Sequence, residues 1–228
     1  SASAFENCSG ATDLSFGINN VMKTIGASAF LGCDSITSIS IPDNVTDINA
    51  SAFENCSGAT DLTIGESIDS IGVSAFAGCT TITELTIYAS KWRDYDGVSL
   101  DISTNITSLT LGNTVTHIGE NAFSGYTGIT SISIPNLVTD ISASAFKNCL
   151  GATDLSFGIN NVLKTIGVSA FSGCDSITSI SIPTLVTDIS ASAFENCSGA
   201  TDLTIGESVD SIGVSAFAGC TTITELTI

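Results

Sequence analysis

Residues 36–58 read I-T-S-I-S-I-P-D-N-V-T-D-I-N-A-S-A-F-E-N-C-S-G. Ile36, Ile39 and Ile41 follow an L-x-x-L-x-L spacing ended by Pro42. The last four of those residues alternate like a half-buried strand, and Pro stops it. A second apolar pair, Val45 and Ile48, follows the turn. Ala52, Phe53 and Cys56 then sit at i, i+1 and i+4, which predicts one helical turn showing a single face to the core. Ser57 and Gly58 close the loop. None of these pieces buries its apolar face alone, so each needs copies above and below it.

The copies are present. The A-F tag recurs at Phe5, Phe30, Phe53, Phe76, Phe123, Phe146, Phe171, Phe194 and Phe217, separated by 25, 23, 23, 47, 23, 25, 23 and 23 residues. Three residues after each Phe comes a Cys, except after Phe123, where Tyr126 stands. The 47-residue gap hides one degenerate unit, 88–105, in which Leu100 roughly replaces the Phe. On a larger scale, residues 1–87 return as 142–228 with nine substitutions. The strand line recurs ten times, beginning at Ala11, Ile36, Ala59, Ile82, Ile106, Ile129, Ala152, Ile177, Ala200 and Ile223. The expectation is a β-rich, α/β-type solenoid of about ten 23–25-residue units, forming a single domain over 1–228. Its rungs pair into one long curved parallel sheet of about 45–50 Å at ~4.8 Å per rung. The bulkier back of each unit splays and leaves the sheet concave.

The pattern L/I-T-x-L/I-x-I-P-x-x-V-T-x-I-x-x-x-A-F-x-x-C resembles the BspA-like (Treponema-type) class of leucine-rich repeats over essentially the whole chain. That resemblance implies a right-handed leucine-rich repeat array, found in surface or secreted proteins of host-associated bacteria and some parasitic protists. It also implies adhesion or protein binding without catalysis. Gly65, Gly112 and Gly206 replace Pro in some units, and 88–105 lacks the A-F-x-x-C tag.

Composition narrows the function classes. Five basic against 23 acidic residues give a net charge of −18, which disfavours nucleic acid and anionic lipid. The 43% hydrophobic content still supplies a core. No apolar run approaches the ~18–20 residues that cross a bilayer, so membrane insertion is not expected. Ser1-Ala2-Ser3 shows no secretory leader; any export signal is removed or lies outside this sequence.

Eight cysteines invite a disulfide or metal reading, but no C-x-x-C pair exists and His117 is the chain's single histidine. Equivalent positions on a splayed back stand beyond the ~7 Å that a bridge tolerates, so the ladder reads as free, buried thiols. His117 occupies a position filled elsewhere by Asp47, Asp140, Asp188 or Ser70, which makes it a solvated rung residue. No catalytic residue, metal site or cofactor is assigned.

Two candidate binding surfaces remain. The third and fifth residues of each strand line project outward and form a small, hydroxylated, acidic face that includes Asp61, Glu84, Asp202 and Glu225. That face reads as a merely soluble surface, or as a binding face for a cationic protein segment or one using weak Ca²⁺ bridging of neighbouring carboxylates. The degenerate unit concentrates Tyr88, Trp92, Arg93 and Tyr95, residue types that dominate interfaces. The same Trp92 equally suits a plug filling the space of the missing Ala-Phe. The leading expectation is an extracellular or cell-surface adhesion module engaging a protein or glycan, host extracellular matrix among the candidates. The alternative is a spacer that displays another domain and has no site of its own. The chain opens and stops inside a unit, which predicts a fragment of a longer array or end-to-end self-association.

Overall fold

The computed structural model describes residues 1–17, 19–92, 102 and 104–228. These fall into two compact units, one of Ser1–Ser90 continued by 102 and 104–106, the other of Thr107–Ile228 joined by the strand Lys91–Trp92.

Alternation makes the strands. In Ser38–Ser40 the isoleucine is buried while both serines are exposed. In the first unit Ser38–Ser40, Asp61–Ile64 and Glu84–Ile87 pair in parallel and in register, so that Ile39 lies beside Leu62 and Leu62 beside Leu85. A second line of two-residue strands, Thr24–Ile25, Asp47–Ile48 and Ser70–Ile71, follows the turn in each coil. The second unit repeats this plan. Its short strands form one continuous ladder in the order Ser211–Ile212, Asp188–Ile189, Thr165–Ile166, Asp140–Ile141, His117–Ile118 and Lys91–Trp92. The unit-by-unit architecture is therefore a parallel β-solenoid, as the spacing predicts.

Three details differ from expectation. Nine of the ten strand lines form strands among the described residues. Residues 11–14 do not, although the Thr12 carbonyl still accepts from the Thr37 N–H at 3.1 Å. The long rungs of the second unit also do not make one unbroken sheet. Ser131–Ile134 pairs with Asp154–Phe157, and Ser179–Ser181 pairs with Asp202–Thr204 and Glu225–Thr227. Ser108–Leu111 does not join Ser131–Ile134 either; only the break after Asp154–Phe157 falls at the coil between Phe146 and Phe171, which carries two extra residues.

The A-F-x-x-C segment contains no helix, for a reason visible in its hydrogen bonds. Ala52, Glu54 and Cys56 donate backbone N–H to the carbonyls three residues back, on Asn49, Ser51 and Phe53, at 3.2 Å each. The alternate N–H groups of Ser51, Phe53 and Asn55 instead reach the next coil at Val73, Ala75 and Ala77, at 2.7–3.0 Å. An α-helix would use all of these donors within itself. The alternation requires left-handed residues at Ser51 (φ 56) and Asn55 (φ 60), and it recurs at Ser28, Ser74, Ser144 and their equivalents. The back of each coil is thus cross-linked at sheet-like spacing.

The wide splay expected there is not found. Phe30, Phe53 and Phe76 stack with ring centroids 5.0 and 5.4 Å apart and planes within 6°. Phe123, Phe146, Phe171, Phe194 and Phe217 stack at 5.1–5.4 Å in the second unit, with planes within 19°. These values match the ~4.8 Å ladder spacing of the strand side. Distance therefore does not explain why the cysteines remain free.

Candidate functional site

Each buried thiol has a structural partner. The Cys56 Sγ–H donates to the Phe30 carbonyl at 3.2 Å, Cys79 to Phe53 at 3.2 Å, Cys174 to Phe146 at 3.1 Å and Cys197 to Phe171 at 3.3 Å. That same Phe30 carbonyl also accepts the Cys33 N–H at 3.1 Å, so the thiol satisfies its second lone pair. The bond requires the protonated thiol, and the surroundings favour that form at Cys33, Cys56, Cys149, Cys197 and Cys220. Burial pushes Cys33, Cys197 and Cys220 above the ordinary thiol value. Hydrogen bonding to the neighbouring thiols Cys79 and Cys174, with burial second, does the same to Cys56 and Cys149, whereas the bond with Cys56 holds the Cys79 thiol below its ordinary value. The raised thiols are poor nucleophiles and poor metal ligands. Among the described residues no group of three His, Cys, Asp or Glu side chains could hold a metal ion.

The structure brings His117 into a contact that composition did not foreshadow. Ser142 Oγ lies 3.2 Å from His117 Nε2, and His117 Nδ1 lies 3.8 Å from Asp140 Oδ2. The order of atoms is that of a serine-hydrolase triad, but 3.8 Å exceeds hydrogen-bond range. Acid-to-hydroxyl contacts also recur along the same row without any histidine. Ser70 donates to Asp47 at 2.7 Å, Ser211 to Asp188 at 2.8 Å and Ser190 to Asp188 at 2.9 Å. The His117 cluster is one member of that repeating pattern.

The outward face of the long strands is where the candidate acids meet. Asp61 stands in register between Ser38 and Glu84, and Asp202 between Ser179 and Glu225. Thr60 and Thr201 donate to the carboxylates of Asp61 and Asp202 at 2.8 and 2.6 Å. Carboxylates therefore do stack directly beside one another at Asp61–Glu84 and Asp202–Glu225, rather than being spaced throughout by serine. A parallel row of hydroxyls, Ser40, Thr63 and Thr86 in one unit and Ser181, Thr204 and Thr227 in the other, runs two residues further on.

The aromatic candidates are placed unevenly. Tyr88 is 37% exposed and its N–H donates to the Ile64 carbonyl at 2.9 Å. Lys91 and Trp92 form a short strand registered on His117 and Ile118, so the degenerate unit keeps its second strand although the tag is lost. Arg93, Tyr95 and Leu100 lie outside the described residues.

The 25-residue coil spends its two extra residues on the loop Gly158-Ile-Asn-Asn161 after the strand. Ile159 is fully exposed, whereas Asn161 is 8% exposed. The Asn161 Oδ1 accepts the Leu163 N–H at 2.7 Å, which fixes the orientation of the amide. Its Nδ2, buried, has no hydrogen-bond partner. Asn161 lines an open cavity of about 650 Å³ together with Phe157, Thr184 and Glu207. The 25-residue spacings of the tag phenylalanines are the sequence signal that marks this loop.

A family model described as BspA type leucine rich repeat region, in 6 copies, matches residues 1–94 and 101–224. Among solved structures, the chain is similar to a leucine rich cell surface protein from Faecalibacterium prausnitzii A2-165 at 22% identity, over 99% of this chain and 75% of that one, with a TM-score of 0.49. A leucine-rich repeat protein from Bacteroides ovatus ATCC 8483 is 20% identical over 99% and 81%, with a TM-score of 0.43. The T. pallidum leucine rich repeat protein is 21% identical over 92% and 76%, with a TM-score of 0.42. No curated protein matches the chain. Among the described residues no helix is long and apolar enough to cross a membrane.

Proposed function

From the premise that this chain belongs to the BspA-type leucine-rich repeat family, we propose that it is a non-enzymatic binding module, surface-borne or secreted, that engages a protein or glycan partner through the outward face of its long strands. The observation that carries this reading is the register of that face. Hydroxyls and carboxylates from successive coils, such as Ser38, Asp61 and Glu84, present a regular polar surface that is exposed or half-exposed. A parallel ladder holds these groups at fixed spacing, and that preorganisation lowers the entropic cost of binding. The scarcity of aromatic and Arg anchors on the described part of that face favours a second reading, a spacer without a ligand of its own. Immobilised full-length chain, screened against extracellular-matrix proteins and glycans with and without Ca²⁺, separates the two. Retention that falls in a Glu84→Gln/Glu225→Gln variant supports the binding face; no retention of any probe leaves the spacer.

A further inference from the structure

The tag cysteines are spaced for bridging. Ring stacking sets the rise from coil to coil at 5.0 and 5.4 Å along Phe30, Phe53 and Phe76, and at 5.1 and 5.3 Å along Phe123, Phe146 and Phe171. Each cysteine follows its ring by three residues on the same turn, so neighbouring cysteines rise by the same step. A disulfide accepts Cα separations of about 4.4–6.8 Å, a window that includes this rise. Two pairs go further and meet through sulfur. The Cys56 and Cys79 thiols hydrogen-bond to each other, and so do those of Cys149 and Cys174.

The surrounding backbone tolerates loss of the thiol hydrogens. The Phe53 carbonyl, which accepts from the Cys79 thiol, also accepts the Cys56 N–H at 3.2 Å, and the Phe146 carbonyl, which accepts from Cys174, takes the Cys149 N–H at 3.3 Å. Phe30 and Phe123 keep the N–H groups of Cys33 and Tyr126, at 3.1 and 3.3 Å, when the Cys56 and Cys149 thiols give up their hydrogens. Oxidation therefore orphans none of these four carbonyls, which is the usual cost of removing a buried donor. The sequence also sorts the thiols. Residues 88–105 lack the tag cysteine and Tyr126 replaces another, which leaves Cys8, Cys33, Cys56 and Cys79 in the first unit. The second holds Cys149, Cys174, Cys197 and Cys220. In a row of four, joining the first to the second and the third to the fourth is the one neighbour pairing that strands no thiol. Both sulfur contacts fall on that pattern.

We propose that the ladder is a set of coil-to-coil cross-linking sites, in which Cys56 bonds to Cys79 and Cys149 to Cys174 when the chain folds in the presence of a small-molecule disulfide. In each pair one cysteine, as thiolate, attacks the small disulfide, forms a mixed disulfide and expels one half of the reagent as thiolate. As the coils stack, the neighbouring cysteine loses its proton to solvent, attacks the protein sulfur of the mixed disulfide and expels the second half. Two protein thiols thus give up two electrons and two protons, and the reagent's disulfide leaves as two thiols. The bridges close loops of 23 and 25 residues, one coil each. In the finished stack all four cysteines are 0% exposed, beyond the reach of oxidant and reductant alike. The redox conditions met during folding therefore decide between stacked thiols and a stapled column.

The test refolds the full, reduced chain from urea in a buffer of oxidised and reduced glutathione, blocks remaining thiols with N-ethylmaleimide and maps the links by mass spectrometry without reduction. Cleavage after Lys, Arg and Glu places each of the eight cysteines on a peptide of its own. The expected dominant links join 55–66 to 67–84 and 148–164 to 165–195. Eight cysteines allow on the order of a hundred complete pairings, so unguided oxidation does not single these out. The urea midpoint of the bridged chain exceeds that of chain refolded with reductant, because each bridge restricts the unfolded state. Eight blocked thiols, glutathione adducts alone, or links scattered among non-neighbours or between chains overturn the proposal. So does a chain that regains its far-UV circular dichroism spectrum in reductant but not in the glutathione buffer.

Discussion

The residue before each tag cysteine, or before Tyr126 in its place, alternates along the second unit as Gly125, Asn148, Gly173, Asn196 and Gly219. All five have left-handed backbone, with φ between 59° and 80°. The space above Gly173, where a Cβ would sit, is filled by the Asn148 amide, and that above Gly219 by Asn196. Gly173→Asn should therefore crowd two neighbours, Asn148 below and Asn196 above, although the backbone itself suits asparagine as well at 173 (φ 76) as at 148 (φ 59). Overpacking costs about 1–3 kcal/mol per site, so the two contacts predict about 2–6 kcal/mol of destabilisation. Adding Asn148→Gly should restore roughly half of the loss, and Asn196→Gly in addition should restore most of the rest. Urea melts followed by far-UV circular dichroism measure this, and the interaction appears as non-additivity between the substitutions. If Gly173→Asn costs the same with or without Asn148→Gly and Asn196→Gly, backbone strain rather than coil-to-coil packing is responsible and the reasoning fails.

Phe53→Ala removes a fully buried ring stacked on both sides and should cost about 3–5 kcal/mol. Phe5→Ala, 53% exposed and stacked on Phe30 alone, should cost under about half of that in the same denaturation assay. Ser70 and then Thr46 hold the Asp47 carboxyl below its ordinary 3.8 by hydrogen bonding. Its contribution is thus present above that value and lost as pH falls through the lower folded one, and Ser70→Ala should raise the Asp47 midpoint in a carboxyl NMR titration. The buried thiols at Cys33 and Cys197 are shifted the other way, above 9.0. Folded protein keeps these protons after the unfolded chain has lost them, so stability should fall as pH rises past 9, and Cys197→Ala should flatten that decline in melts at pH 8–10.5. Asp61→Asn separates two in-register carboxylates and should stabilise by up to about 1 kcal/mol at low salt, an effect that 1 M salt abolishes.

How much of this was legible in the chain depends on the period of the signal. Rungs and register follow directly from the alternation around Ile39 and Ile41, because a one-residue slip would turn every buried isoleucine outward. The stacked Phe column follows from the constant spacing of the tag. The A-F-x-x-C spacing points to a helix while the chain makes turns, because i, i+1 and i+4 spacing is shared by a helix and by a run of turns. The distinguishing signal lay in the residues between, where Ser precedes Ala-Phe and Asn or Gly precedes Cys, both in left-handed positions. Asparagine and glycine there are the mark of a backbone that breaks helix geometry twice per coil.

What the pattern hid were contacts made by departures from it. His117 reads as a rung residue by position, yet its distance to Ser142 depends on both lying on one side of neighbouring coils, 25 residues apart. Asn161 reads as part of a loop, and its buried donor arises only because two inserted residues push Ile159 outward while the amide turns in to cap Leu163. In a repeat, regular positions are occupied by the requirements of stacking, so they carry the fold and little else. The insertion is free of that requirement. The insertion Gly-Ile-Asn-Asn is the same in both blocks, at 17–20 and 158–161, whereas the adjacent changes of Asp43 and Asn44 to Thr184 and Leu185 fall on a regular 23-residue coil. The irregular coil is therefore where contacts outside the repeat's own stacking arise, as the Asn161 amide shows in accepting the Leu163 N–H.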